Sequence, residues 1–143
     1  MLVGISPLLS PQLLAELCRM GHGDEIVLAD AHFPGHSCND TVLRADGLQI
    51  PDLLEAILPL MTLDTYVEAR RWSWIRSQAI QLIQQYAHAT NSLSQPTGPK
   101  RARSAGWSAL PSVERAQQAF AVVMTGDVAK YANIILKKGV TPA

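Results

Sequence analysis

Glu25-Ile26-Val27-Leu28-Ala29-Asp30 is the stretch on which the fold turns. It is a short apolar run, partly β-branched, bounded by His22-Gly23-Asp24 before it and Pro34-Gly35 after it. A run of that length between turn residues predicts a buried strand rather than a helix. Helices flank it on both sides. Ser10-Pro11 is a start signal, since Ser can cap and Pro suits the first helical position. Leu13, Leu14 and Leu17 then share one face, and Gly21 is a natural stop. A second helix opens at Pro51, places Leu53, Leu54, Ile57 and Leu58 on one side, and ends or bends at Pro59.

Two more strands are predicted near the C-terminus, over 119–124 and 133–136, with Thr125-Gly126-Asp127 as the turn after the first. Residues 114–119 read as a helix leading into them. Strands interleaved with helices give an α/β domain spanning 1–143, with a mostly parallel, largely buried sheet flanked by helices. Between these parts, Trp72, Ile75, Ala79, Leu82, Ile83 and Tyr86 recur at helical spacing, predicting a helix over 72–88. Residues 91–106 lose that period and read as a solvated loop carrying the basic run Lys100-Arg101-Ala102-Arg103.

Composition narrows the function. The 143 residues are 48% hydrophobic, with 12 basic and 12 acidic side chains. A neutral chain argues against nucleic acid as the main partner, and an apolar one against disorder. No run approaches the roughly 20 apolar residues of a membrane helix, and Met1-Leu2-Val3-Gly4 lacks the basic start of a secretory signal. Two cysteines, Cys18 and Cys38, are too few for a disulfide framework. A soluble, cytoplasmic protein is expected.

Polar residues crowd the first strand. His22, Asp24, Asp30, His32 and His36 fall within 15 positions. Asp30 sits where the strand ends, the place where ligands gather in open α/β sheets; its other reading is a turn or capping residue. His32 and His36 have helical i, i+4 spacing, but Pro34 and Gly35 interrupt it, so metal geometry is not supplied. No nucleophile elbow, Walker sequence or dinucleotide fingerprint is present. General acid–base chemistry at His22 is better supported, because imidazole exchanges protons near neutrality.

The run Met20-Gly21-His22-Gly23-Asp24-Glu25-Ile26-Val27-Leu28-Ala29-Asp30-Ala31-His32-Phe33-Pro34 closely resembles the D-ribose pyranase and fucose mutarotase family, in its fucose branch. So do Ile5-Ser6-Pro7-Leu8-Leu9-Ser10-Pro11, Arg44-Ala45-Asp46-Gly47, Leu63-Asp64-Thr65-Tyr66, Glu114 to Phe120 and Lys130 to Val140. The resemblance covers about residues 1–69 and 114–142. It implies a ribose pyranase-like α/β subunit that needs no metal or cofactor. It also implies a homo-oligomer, often a decamer, with sugar sites near subunit contacts. The implied activity interconverts the α and β anomers of a monosaccharide, L-fucose in this branch and ribose ring forms in the sister branch. By position, His22 matches the family's proton donor. Asp30, Asp64, Tyr131 and Asn133 match groups that bind the sugar or assist proton transfer, with Asp64 counted in both roles. On spacing alone, Tyr131 reads equally as an aromatic at a subunit contact.

The chain departs from the family pattern between Arg70 and Val113. Ser112-Val113 stands where relatives carry an aromatic pair ending in a site Tyr, and Ala109 lies near a basic position of the pattern. Three other readings follow: a sugar-binding or assembly protein without turnover, a ribose pyranase-type pyranose/furanose isomerase, and a metal-dependent isomerase using His22, His32 and His36.

Overall fold

The computed structural model describes residues 2–64, 103–104, 107–109, 113–129 and 133–141. Its centre is strand β1, Glu25–Ala29, with only Glu25 partly exposed. The other elements are α1 (Pro11–Arg19), α2 (Gly35–Cys38), β2 (Val42–Ala45), α3 (Ile50–Ile57), β3 (Arg103–Ser104), β4 (Trp107–Ala109), α4 (Val113–Gln118), β5 (Ala121–Thr125) and β6 (Ile134–Lys137). The six strands form one sheet in the order β2-β5-β1-β6-β4-β3. Strands β2, β5 and β1 run parallel, whereas β6 is antiparallel to β1 and starts an antiparallel edge through β4 and β3. The sheet is therefore mixed, with helices on both faces, in keeping with the α/β reading.

Alternation along the strands sorts the core into two layers. Ile26, Leu28, Ala121, Val123, Ile134 and Leu136 face Leu13, Leu17, Leu53, Leu54 and Ile57 of α1 and α3. Val27, Ala29, Val122, Met124 and Ile135 face Cys38 and Ala116 of α2 and α4. Because both faces are covered, the strands read as continuous apolar runs rather than as alternating ones. Each fully buried Leu, Ile or Val contributes about 1.5–3 kcal/mol over leaving it in water.

The helices predicted from Pro11, from Pro51 and over 114–119 form where their signals place them. Ser10 caps α1, its hydroxyl accepting from Leu13 N–H at 3.1 Å. Pro occupies the first turn of both α1 and α3. Lys138 reaches back to the C-terminal end of α1. The Lys138 ammonium donates to Leu17 O at 2.8 Å and Met20 O at 2.7 Å, satisfying carbonyls that the helix end leaves orphaned. The sequence reading missed β2, the four-residue α2 and the β3–β4 hairpin. That hairpin places Arg103 and Ser104 in a strand, inside the stretch expected to be loop. The helix expected over 72–88, and the rest of the basic run, lie outside the described residues. Among the described residues, no helix is long and apolar enough to cross a membrane.

Lys138→Met removes two charge-assisted hydrogen bonds to α1. It is expected to cost about 2 kcal/mol, read as a lower urea midpoint with an unchanged m value.

Candidate functional site

The parallel strands β1 and β5 end at one edge of the sheet, and β6, running the other way, begins there. Asp30, Thr125, Asp127 and Asn133 all lie at this edge, and they are the buried polar side chains of the described residues. Each has a defined place. Asn133 Oδ1 accepts from Asp30 N–H at 2.7 Å, and Asp30 Oδ1 accepts from His32 N–H at 2.9 Å. Thr125 donates its hydroxyl to Ala29 O and accepts from Asp127 N–H. Asp127 accepts from Ala129 N–H and, at 3.4 Å, from Ile50 N–H at the start of α3. Asp127 O also accepts from Ala31 N–H at 2.8 Å. The loop that carries Asp30 is thus tied to both neighbouring strands.

That leaves Asp30 Oδ2 and Asn133 Nδ2 without a hydrogen bond to any described residue. No fully buried side-chain polar atom among the described residues lacks a partner, so both atoms reach solvent. Asp30 and Asn133 are otherwise 4% and 7% exposed. An acceptor and a donor at the same strand end suit a ligand rich in hydroxyl groups, each of which both gives and takes hydrogen bonds.

The opposite edge of the sheet holds the second cluster. His22 lies in the turn between α1 and β1. Asp24 closes the turn by accepting from Gly21 N–H at 2.7 Å, and Gly23 donates its N–H to Lys138 O at 2.8 Å. Gly23 has φ +90, a conformation that favours glycine. Asp64 arrives on the chain beyond α3. Its N–H donates to Lys137 O at 2.9 Å, and its Oδ2 meets the Lys137 ammonium at 3.0 Å. Its other oxygen, Oδ1, stands 3.5 Å from His22 Nε2. Gly139 permits this approach, because a Cβ there would lie 2.6 Å from Leu63 O. The His22 side chain is 59% exposed and that of Asp64 only 15%. Beside them opens a cleft of 530 Å³ lined by Gly23, Asp24, Glu25, Glu114, Arg115, Gln118 and Lys137. Arg115 grips Glu25 there through two hydrogen bonds, 2.9 and 2.6 Å.

The hydrogen bond from Lys137 is the main cause that holds the Asp64 carboxyl below the usual carboxylate range. Partial burial opposes it, and the contact with His22 adds to it. Asp64 is therefore an anion at neutral pH, and the imidazole faces a fixed negative charge.

The structure brings His22 together with Asp64, and Asp30 together with Asn133, but not the two pairs with each other. The five residues of β1 between them, at a rise of about 3.3 Å each, span roughly 16 Å. Tyr131 lies outside the described residues. His32 is exposed, and its main chain rather than its ring bonds Asp30; His36 is exposed on α2. Among the described residues no three His, Cys, Asp or Glu side chains converge on a metal position. Lys137, Thr125 and Asp127 were not singled out from the sequence. Thr125-Gly126-Asp127 carried a usable signal, a polar cluster directly after a buried strand.

A three-layer α/β sheet with polar groups gathered at both strand ends defines the class. The chain belongs to the RbsD / FucU transport protein family, whose pattern matches residues 3–141. An L-fucose mutarotase of Haemophilus influenzae (strain 86-028NP) is 50% identical to it over 154 aligned residues, covering 99% of each chain. The fucose mutarotase of Streptococcus pneumoniae, solved in complex with L-fucose, is 38% identical with a TM-score of 0.68. That match covers 99% of this chain and 100% of the other. RbsD of Bacillus subtilis, solved with D-ribose, shares the fold at 21% identity and a TM-score of 0.58, over 99% of this chain and 100% of that one.

A carboxyl whose pKa is lowered by folding stabilises the folded state above the ordinary carboxylate value, and loses that contribution as pH falls through its own lower value. Asp64→Asn is therefore expected to lower stability at neutral pH and to match the wild type in strong acid. Urea unfolding across a pH series measures the convergence.

Proposed function

We propose that this chain is a monosaccharide mutarotase, an isomerase that interconverts the α and β anomers of L-fucose. The observation that carries the reading is an exposed imidazole held against an ionised carboxylate, in a chain 50% identical to a named L-fucose mutarotase across its whole length. Ring opening takes the proton from the anomeric hydroxyl and delivers one to the ring oxygen. The hemiacetal C–O bond breaks, C1 becomes an aldehyde, and rotation about C1–C2 exposes its other face. Reclosure reverses both proton transfers. Acid and base roles at this step are worth about 10²–10⁴-fold each, and His22 can serve both in turn. Asp30 and Asn133 hold sugar hydroxyls, and Tyr131 joins them. The reaction as written asks for no metal or cofactor.

The separation of the two clusters supports a homo-oligomer, with the His22 end of one copy docked on the Asp30 end of the next. A heterologous contact of that kind closes into a ring when its rotation allows. Exposed Val128 follows the Asp30 edge, and exposed Leu60 and Val140 flank the other, so both ends offer apolar contact surface. The single domain 1–143 would be the repeating unit, cytoplasmic, in rings that pair to a decamer. One observation favours a second reading, sugar binding without turnover: Val113, at the start of α4, offers no proton where the family pattern has Tyr.

Two-dimensional exchange NMR on equilibrated L-fucose tests both readings. The mutarotase reading expects cross-peaks between anomers well above the buffer rate; binding with exchange at the buffer rate refutes it in favour of the second. His22→Gln is expected to lower exchange by about 10²–10⁴-fold while sugar binding survives.

Complementation tests the composite site. His22→Gln and Asp30→Ala are each expected to be nearly inactive. Unfolding and refolding them together should restore activity, because some contacts then join an intact His22 to an intact Asp30. Activity no higher than that of the two separate variants would place both residues in one subunit's site.

A further inference from the structure

Asp64 is held twice by one residue. Its N–H donates to the Lys137 carbonyl at 2.9 Å, and its Oδ2 meets the Lys137 ammonium at 3.0 Å. With main chain and one carboxyl oxygen both fixed, the direction of Oδ1 is fixed as well, and Oδ1 is the atom that stands 3.5 Å from His22 Nε2. Lys137 itself is anchored, since it ends β6 and pairs in register with Glu25 at the start of β1. Gly23, next to His22, lies alongside the lysine stem: a Cβ there would sit in ordinary van der Waals contact, 4.0 Å from Lys137 Cε. The imidazole is the most exposed of the three side chains and is carried on a turn, and Asp64 Oδ1 is the charged group it faces.

A carboxylate on one side of an imidazole selects its tautomer. It accepts the N–H of the nitrogen that faces it and leaves the other nitrogen with a lone pair. Contacts of this kind often lie at the outer edge of hydrogen-bond distance in a free enzyme and shorten when substrate binds. We propose that Lys137 is a positioning residue of the acid–base centre: it aims Asp64 Oδ1 at His22 Nε2, leaving His22 Nδ1 to exchange protons with the sugar. The sugar part of this statement rests on the mutarotase reading; the orientation part does not. In this role Lys137 acts through the carboxylate it holds.

The experiment uses full-length wild type, Lys137→Met and Lys137→Arg. Imidazole ¹⁵N shifts of the free proteins, at a pH where the ring is neutral, report which nitrogen of His22 carries the proton. The wild type is expected to hold it on Nε2 alone, Lys137→Arg to keep that pattern, and Lys137→Met to populate both tautomers as an unrestrained ring does. In L-fucose exchange, Lys137→Met is expected to lower kcat by on the order of tenfold or more with KM nearly unchanged, and Lys137→Arg to recover most of it. A lysine that served only stability would shift the urea midpoint and leave tautomer and kcat alone; that result overturns the proposal. So does a raised KM with kcat preserved, or a wild-type proton on Nδ1. Should Lys137→Met fail to fold, Lys137→Gln carries the same comparison. If wild type shows no anomeric exchange at all, the mutarotase reading fails while the tautomer measurement still decides on Lys137.

Discussion

The antiparallel register between β1 and β6 is the constraint from which the rest follows. Glu25 pairs with Lys137 at one end and Leu28 with Ile134 at the other. This pairing places the His22 turn beside Lys137 and Lys138, and places Asp30 beside Asn133. Both clusters are therefore consequences of one ladder. A slip of one residue would turn Ile134 and Leu136 to the wrong face of the sheet, exchanging the two core layers along β6. The core penalty for that slip is large, so the register holds without help from the polar residues. Precision at the sites is inherited from apolar packing between them.

The same ladder sets the limit of what one chain can do. Residues before and after a strand point away from each other along its axis, so a turn at its start and a carboxyl at its end cannot share a small ligand. A protein that uses both must bring the two ends together by association. Head-to-tail association does this with a single surface pair repeated around a ring, which suits a small subunit with few residues to spare. In the head-to-tail ring proposed above, each copy would contribute an acid–base end to one neighbour and a hydroxyl-binding end to the other.

Much of this was legible in the sequence, and the gaps have physical causes. The strand at Glu25–Ala29, the capped α1 and the Pro-led α3 could be read because local signals and tertiary packing agree there. Strand β2 was not, because Val42–Ala45 is half-exposed, contains Arg44 and owes its form to pairing with β5. The hairpin of β3 and β4 was missed for a similar reason: strands of two and three residues have no period, and only β6 gives them a template. Among site residues, His22 and Asp30 stand in a dense motif. Lys137 and Asp127 look like a strand-end lysine and a turn aspartate, and only their placement reveals that each holds another group. The family resemblance supplied Asp64 and Asn133, which periodicity alone would have left unremarked.

The exposure of the His22 cluster is consistent with the chemistry proposed for it. Anomer exchange transfers a proton out and a proton in, and it forms a neutral aldehyde from a neutral hemiacetal. No large charge develops that would call for a deeply buried oxyanion hole. What the step needs is a base whose proton-bearing nitrogen is defined and whose partner does not take the proton itself. Lys137 supplies the second condition by keeping Asp64 ionised, since a carboxyl lowered below its usual range is a poor proton acceptor. The division of labour is then set by charge: the lysine lowers the basicity of the carboxylate, and the carboxylate faces the imidazole. Burying this chain of groups would weaken the arrangement, because an ammonium and a carboxylate drawn out of water can cost more than their mutual contact returns. A rim position keeps the His22 ring and the Lys137 head in water while the carboxylate between them is the more sheltered group.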